Sequence, residues 1–301
     1  MHILLTGGTG LIGRPLCRYW LQQGHRLTVY SRTPERVAEL CGAEVRGIGE
    51  FADYGDEPLD AVVNLAGAPI AERPWTHKRK ALLWASRIGL TEQLLDWLQG
   101  RAQKPHLLIS GSAVGWYGDG GERELHEDHA PVIEDFAAQL CGAWEETARR
   151  AEAFGVRVVL LRTGLVLASH GGFLKRLVLP FRLGMGGPIG NGRQWMPWIH
   201  LQDEIALIDF LLQQEDTQGP YNACALQPVR NKAFAQALGR ALHRPALLPL
   251  PAPVLRVGLG ELSGLLLGGQ KALPARALAA GFTFRFTDID SALADLFKDA
   301  A

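Results

Sequence analysis

The chain opens on a short apolar segment that runs without a break into glycines: Met1-His-Ile-Leu-Leu-Thr-Gly-Gly-Thr-Gly-Leu-Ile-Gly13. A strand, a glycine-rich turn and the first turn of a helix fit this run, and few folds begin that way. Gly7, Gly10 and Gly13 carry the spacing G-x-x-G-x-x-G, the loop on which a dinucleotide pyrophosphate sits. Gly7 permits the tight turn, Gly10 lets backbone N–H groups approach the phosphates, and Gly13 lets the helix pack closely on the sheet. The helix start then offers unpaired N–H groups and the positive end of its dipole to that anion. Thr6, Leu11 and Ile12 complete the predicted cradle.

The rest of the first half agrees. His2–Thr6, Leu27–Ser31, Ala61–Leu65, His106–Ser110 and Arg157–Arg162 read as short apolar strands, with helical patterns at about 11–23, 75–99 and 133–154 between them. Continuous apolar strands alternating with helices predict an α/β fold, a doubly wound parallel sheet covered on both faces. Beyond residue 165 the alternation fades. Gly171-Gly172, Gly184–Pro188 and Gly190–Gly192 read as a glycine-rich loop region over a cleft, Ile205–Gln213 as a helix and Gly219–Cys224 as a strand. Further helices fall near 230–242, 252–266 and 288–297. We therefore expect a nucleotide-binding domain at 1–165 plus about 196–224, and a second, smaller α/β module at 166–195 and 225–301.

Lys+Arg and Asp+Glu balance at 31 each, which argues against a nucleic-acid or anionic-membrane partner. Cys17, Cys41, Cys141 and Cys224 are scattered, with no metal-ligand spacing, and point to a reducing compartment without bound metal. The most apolar stretch, Leu247 to Leu267, is broken by three prolines, Arg256 and Glu261, and is no membrane span. No signal peptide precedes the first strand, so the expectation is a cytoplasmic protein acting on a small molecule.

The second strand ends in Ser31-Arg32, where NAD-preferring sites place an acid to accept from the ribose hydroxyls. A hydroxyl and a guanidinium suit a 2′-phosphate instead. One charge-assisted contact of about 1.5–3 kcal/mol gives roughly ten- to hundredfold preference for NADP(H). The alternative is a solvated surface arginine. Leu65-Ala66-Gly67, after the strand at 61, lets the backbone approach the adenosine half, or marks a simple turn.

Thr6–Gly13, Asn64–Gly67, Ser110-Gly-Ser-Ala113 and Trp198-Ile-His-Leu-Gln-Asp203 together resemble the extended short-chain dehydrogenase/reductase superfamily, in its NAD-dependent epimerase/dehydratase branch. The chain is more similar still to the YfcH-like or SDR39U-type epimerase family, through Arg73–Lys78, Leu140–Glu145, Pro180–Gly190, Pro228–Phe234 and Gly268–Pro274. The resemblance implies a Rossmann domain, NADP(H), a small substrate-side C-terminal domain of the DUF1731 type and a catalytic Ser at Ser112. It also implies a Tyr-x-x-x-Lys pair on the following helix. This chain reads Cys141-Gly-Ala-Trp-Glu145 there, so the standard pair is absent.

Tyr117, just past the fifth strand, Cys141 and His200 are the remaining acid/base candidates. Each has a plainer role open to it: a cleft-lining aromatic, a small helix residue, a backbone-bonding histidine. Arg87 falls where related enzymes carry an Asn, and either reaches the cofactor or forms a helix-surface ion pair. Arg182, Arg193 and Trp195 grip an anionic substrate or decorate a loop. Two functions follow: an NADP(H)-dependent oxidoreductase or epimerase, or a catalytically silent NADP(H)-binding sensor or scaffold. A homodimer is compatible with either.

Overall fold

The structure is a computed structural model, and it describes residues 1–298. Five strands build the first half: β1 (His2–Thr6), β2 (Arg26–Tyr30), β3 (Arg46–Ile48), β4 (Ala61–Asn64) and β5 (Leu107–Ala113). Interleaved are α1 (Gly13–Gln22), α2 (Val37–Cys41), α3 (His77–Trp84), α4 (Leu90–Gly100) and, after the short β6 (Glu124–Leu125), α5 (Phe136–Arg149). The chain continues through β7 (Arg157–Thr163), β8 (Leu165–Leu167), α6 (Gly172–Arg182), β9 (Trp195–Met196), β10 (Trp198–His200), α7 (Leu201–Gln213) and β11 (Gly219–Ala223). It closes with β12 (Val229–Arg230), α8 (Asn231–Ala241), α9 (Ala252–Leu259), α10 (Gly264–Leu267), β13 (Lys271–Ala272), α11 (Ala275–Ala279) and α12 (Ile289–Phe297).

Seven strands form one sheet in the order β11-β7-β5-β4-β1-β2-β3, and every pairing in it is parallel. The order turns back at β1, since the chain passes from β1 out to β3 and returns to β4 on the other flank. In such sheets the crevice beyond the carboxyl ends at the turning point takes the ligand. Both faces are buried, because parallel strands rich in Val, Ile and Leu need cover on each side. One core lies under α1 and α7, the other under α4 and α5.

A separate core gathers β8, β9, β10, α8 and α12 around Trp198, Phe234 and Leu293. The C-terminal segment also returns to the first core, where Ala277, Phe282 and Phe284 pack. No helix of the described residues is long and apolar enough to cross a membrane.

Three local differences from expectation have physical reasons. β3 is only three residues long and leaves too little pattern to read. The helix expected over 75–99 is interrupted by a π turn at Ala85–Gly89, which carries Arg87. The glycine-rich stretch expected as loop holds α6, whose N-cap is Gly171 and which contains Pro180.

Candidate functional site

The glycine loop is held by contacts that leave no room for side chains. Gly7 has φ of 73°, and a Cβ on it would stand 2.8 Å from the Leu65 and Ala66 backbone, so the loops after β1 and β4 touch here. A Cβ on Gly13 would lie 2.4 Å from the Gly7 carbonyl oxygen, so its missing side chain lets α1 close on the loop itself. Gly8 was not singled out from sequence, yet a Cβ there would meet Val29 at 2.7 Å. Gly10 N–H is turned inward to the Gly7 carbonyl (2.9 Å). Among the described residues, the N–H groups of Leu11 and Ile12 find no acceptor, and α1 begins without a side-chain cap or an acid in its first turn. Unpaired donors at a helix start, ringed by glycines, fit a pyrophosphate.

Thr6 serves as a brace. Its hydroxyl donates to Asn64 Oδ1 (2.7 Å) and accepts from Ala66 N–H (3.1 Å), so its side chain is committed within the protein. Asn64 in turn donates to Thr91 (2.8 Å), which also accepts from Trp144 Nε1 (3.1 Å). At the end of β2, Ser31 is buried and accepts from Thr33 N–H (3.2 Å), while Arg32 is exposed and enters no ion pair or side-chain hydrogen bond of the described residues. A free cation therefore stands beside a buried hydroxyl where an acid would mark NAD.

Arg87 is no surface ion pair. The π turn aims it inward, where Nη2 donates to the Ala68 carbonyl (3.0 Å) and the guanidinium lies 5.4 Å from the Trp144 ring. Burial lowers its pKa from the usual arginine value. Gly67 is explained by the same contact: a Cβ would sit 2.8 Å from Arg87 Cζ. The glycine makes room for a protein cation beside the β4 loop.

Beyond the β4 loop, where the superfamily carries its Tyr and Lys, the residues form a closed network. Ser112 Oγ donates to Glu145 Oε1 (2.7 Å). Glu145 is clamped by Arg162, with Nε to Oε1 at 2.8 Å and Nη2 to Oε2 at 2.9 Å. All three side chains are nearly inaccessible. Arg162 stacks on Trp116 (3.6 Å) and donates through Nη1 to Tyr117 Oη (3.0 Å) and the Glu127 carbonyl (3.1 Å). Sheet register dictates the cluster, because Ser112 lies opposite Arg162 and Arg162 opposite Asn222.

Four acid/base candidates are placed by this geometry. Ser112 commits its proton to Glu145. Tyr117 is fully buried, and its proton lies between Asn222 Oδ1 (2.9 Å) and the His126 carbonyl (3.0 Å); it does not line the cleft. Burial pushes its pKa up to about 12. Cys141 lies beside Ser112 and the Ala113 backbone, and burial, seconded by the Glu145 carboxylate, pushes its thiol up to about 12. His200 stands apart: Nδ1 caps α7 by accepting from Gln202 N–H (3.1 Å), and the ring stacks on Phe286 at 3.9 Å. Burial lowers it to about 4, so it is neutral at pH 7 and its 3.5 Å approach to Asp295 is no ion pair.

Sequence reading missed Arg162 and Asn222 as members of this network. The signal was present, since an arginine inside an apolar central strand needs a buried partner. Among the described residues no cluster of His, Cys, Asp or Glu has the geometry to hold a metal. Trp195 donates to Glu122 (3.3 Å) and packs under Arg230, while Arg193 is exposed.

A parallel sheet with its reversal at β1, and a glycine cradle at that point, define a Rossmann dinucleotide-binding protein. Residues 3–224 match the NAD dependent epimerase/dehydratase family, and residues 250–296 match the domain of unknown function DUF1731. Epimerase family protein YfhF of Bacillus subtilis is 38% identical over 301 residues, 99% of each chain. Epimerase family protein SERP0438 of Staphylococcus epidermidis is 36% identical over 98% of each chain. The human epimerase family protein SDR39U1, solved with NADPH, superposes with a TM-score of 0.90 at 34% identity, covering 99% of this chain and all of that one. The chain belongs to the NAD dependent epimerase/dehydratase family, in its atypical short-chain dehydrogenase/reductase branch.

Proposed function

We propose that this protein binds NADP(H) in preference to NAD(H), with the pyrophosphate on the loop of Gly7–Gly13 and the 2′-phosphate at Ser31 and Arg32. The observation that carries the preference is Arg32, an exposed cation at the end of β2 without a partner among the described residues. The human relative solved with NADPH supports the same reading. Bound in this crevice, the nicotinamide would supply hydride chemistry; the chain's own residues hold and orient it. Fluorescence titration with NADPH and NADH tests the preference. A ten- to hundredfold gap is expected, and equal affinities would remove the argument from Arg32.

Family membership favours turnover of a small carbonyl or nucleotide-sugar substrate. One observation favours the second reading, a catalytically silent NADP(H)-binding sensor or scaffold: the position of the usual dyad is sealed by Ser112, Glu145 and Arg162. None of the four candidate side chains presents a titratable proton to the cleft near neutral pH. Exchange of label from C4-deuterated NADPH into carbonyl and sugar-nucleotide pools separates the two. Tight NADPH binding without label transfer supports the silent reading, and transfer into any pool overturns it.

A further inference from the structure

The charge balance of the whole chain hides a lopsided distribution. Residues 153–202 contain six Lys and Arg and no Asp or Glu, and residues 217–260 contain five and none. The fold lays parts of these stretches side by side: Leu248 N–H donates to the Gly186 carbonyl (3.1 Å) and Leu250 N–H to the Pro188 carbonyl (2.9 Å). Large apolar side chains stand in water along this seam. Leu179, Leu183 and Met185 are 65%, 63% and 56% exposed; across from them Leu247, Val254 and Val257 are 77%, 57% and 90% exposed. Scattered exposed leucines are ordinary, but six large apolar side chains exposed on the two segments of one seam point to an interaction site.

Cations interleave with these residues. On α6 and its C-cap, Lys175, Arg176, Leu179, Arg182 and Leu183 are all exposed and fall at helical spacing, with Arg176 donating to the Ala71 carbonyl (2.7 Å). Arg244 and Arg256 border the second segment. None of these five cations enters an ion pair of the described residues. Next to Leu247 lies an open depression of about 700 Å³ lined by Arg240, His243 and Arg244. Arg240 is held by Asp290 at 2.6 Å; Arg244 meets no carboxylate of the described residues and donates to the Arg182 carbonyl (3.1 Å) and the His243 carbonyl (3.0 Å), which fixes it at the seam.

An occupant must bring apolar surface and negative charge together. A second copy of this chain would set cation against cation. We propose that this face docks the protein on the surface of an anionic lipid bilayer, Leu, Val and Met entering the headgroup–acyl boundary while the unpaired cations meet lipid phosphates. The contact is interfacial, and it stands independently of the cofactor reading.

Vesicle co-sedimentation tests it, comparing phosphatidylcholine alone with phosphatidylcholine carrying about one-third phosphatidylglycerol. Binding to the anionic vesicles only, weakened by salt, is expected. Arg182→Glu and Arg244→Glu should each weaken it roughly fivefold or more, and Leu247→Asp with Val257→Asp should abolish it. These side chains are exposed, and an unchanged circular dichroism melt verifies folding. No sedimentation with either lipid, or equal binding by wild type and the Asp variant, overturns the proposal. So does light scattering that finds a dimer for wild type and a monomer for the Asp variant, which assigns the face to a second copy.

Discussion

Glu145 and Arg162 show how one buried residue fixes the meaning of its neighbours. A carboxylate and a guanidinium taken out of water are tolerated only together, with every polar atom engaged, as the two bonds of 2.8 and 2.9 Å achieve. Glu145→Gln leaves the Arg162 cation buried against a neutral amide, and a loss of about 3–5 kcal/mol in denaturant-determined stability is expected. A loss under about 1 kcal/mol would mean the pair is solvated. Replacing Cys141 by Tyr and Glu145 by Lys does not rebuild the usual dyad, because the new lysine would face Arg162. At the other end of the crevice, Arg32→Glu should cut NADPH affinity by roughly ten- to hundredfold and leave NADH affinity nearly unchanged. Titration of the variant with both nucleotides checks this. The sequence displayed Arg32 and the glycines openly because strand-to-loop junctions keep their motif in consecutive residues. The Ser112, Glu145 and Arg162 cluster was obscure for the opposite reason: its members come from three elements, and only sheet register brings them together.

At the scale of elements, apolar runs revealed the strands of the central sheet except β3, and a solid 3.6-residue period revealed most helices. Two failures share a cause. Glycine was read as loop at 171–172 and the helix at 75–99 was read as continuous, but tertiary contacts set both outcomes. Gly171 and Gly172 sit against Leu11, where a Cβ would meet its methyls at 2.6 and 2.8 Å, and α6 starts from that contact. The π turn at 85–89 exists where Arg87 is turned toward the β4 loop. Glycines in these elements should therefore respond differently to substitution. Gly13→Ala puts a Cβ 2.4 Å from backbone oxygen, so loss of NADPH binding and a lower melting temperature are expected. Gly89→Ala meets nothing within 4 Å and should be neutral or stabilising by up to about 1 kcal/mol. A Gly13→Ala variant with wild-type NADPH affinity would show that the loop closes differently.

For the whole molecule, two buried groups set opposing slopes in stability against pH. Glu204 on α7 is completely inaccessible; one oxygen accepts from Thr163 (2.9 Å), the other has no partner, and burial raises its pKa to about 8. The native state then holds a proton that the unfolded chain releases above its ordinary value of 4.5. Its contribution is full below that value and is lost as pH rises toward 8. His200 acts in reverse: lowered to about 4 from 6.5, it stays neutral in the native state while the unfolded chain takes up a proton. That contribution is full above 6.5 and is lost as pH falls toward 4. Between about 4.5 and 6.5 the two slopes nearly cancel, and between 6.5 and 8 the Glu204 slope acts without that opposition. Stability should therefore be highest on the acid side of neutrality and decline by a few kcal/mol toward pH 8. Glu204→Gln keeps an acceptor for Thr163 but carries no titratable proton, so urea denaturation of this variant should show the 6.5–8 limb flattened. An undiminished decline in the variant would place its origin in another group, and a limb that rises with pH would mean that Glu204 is ionised in the native protein.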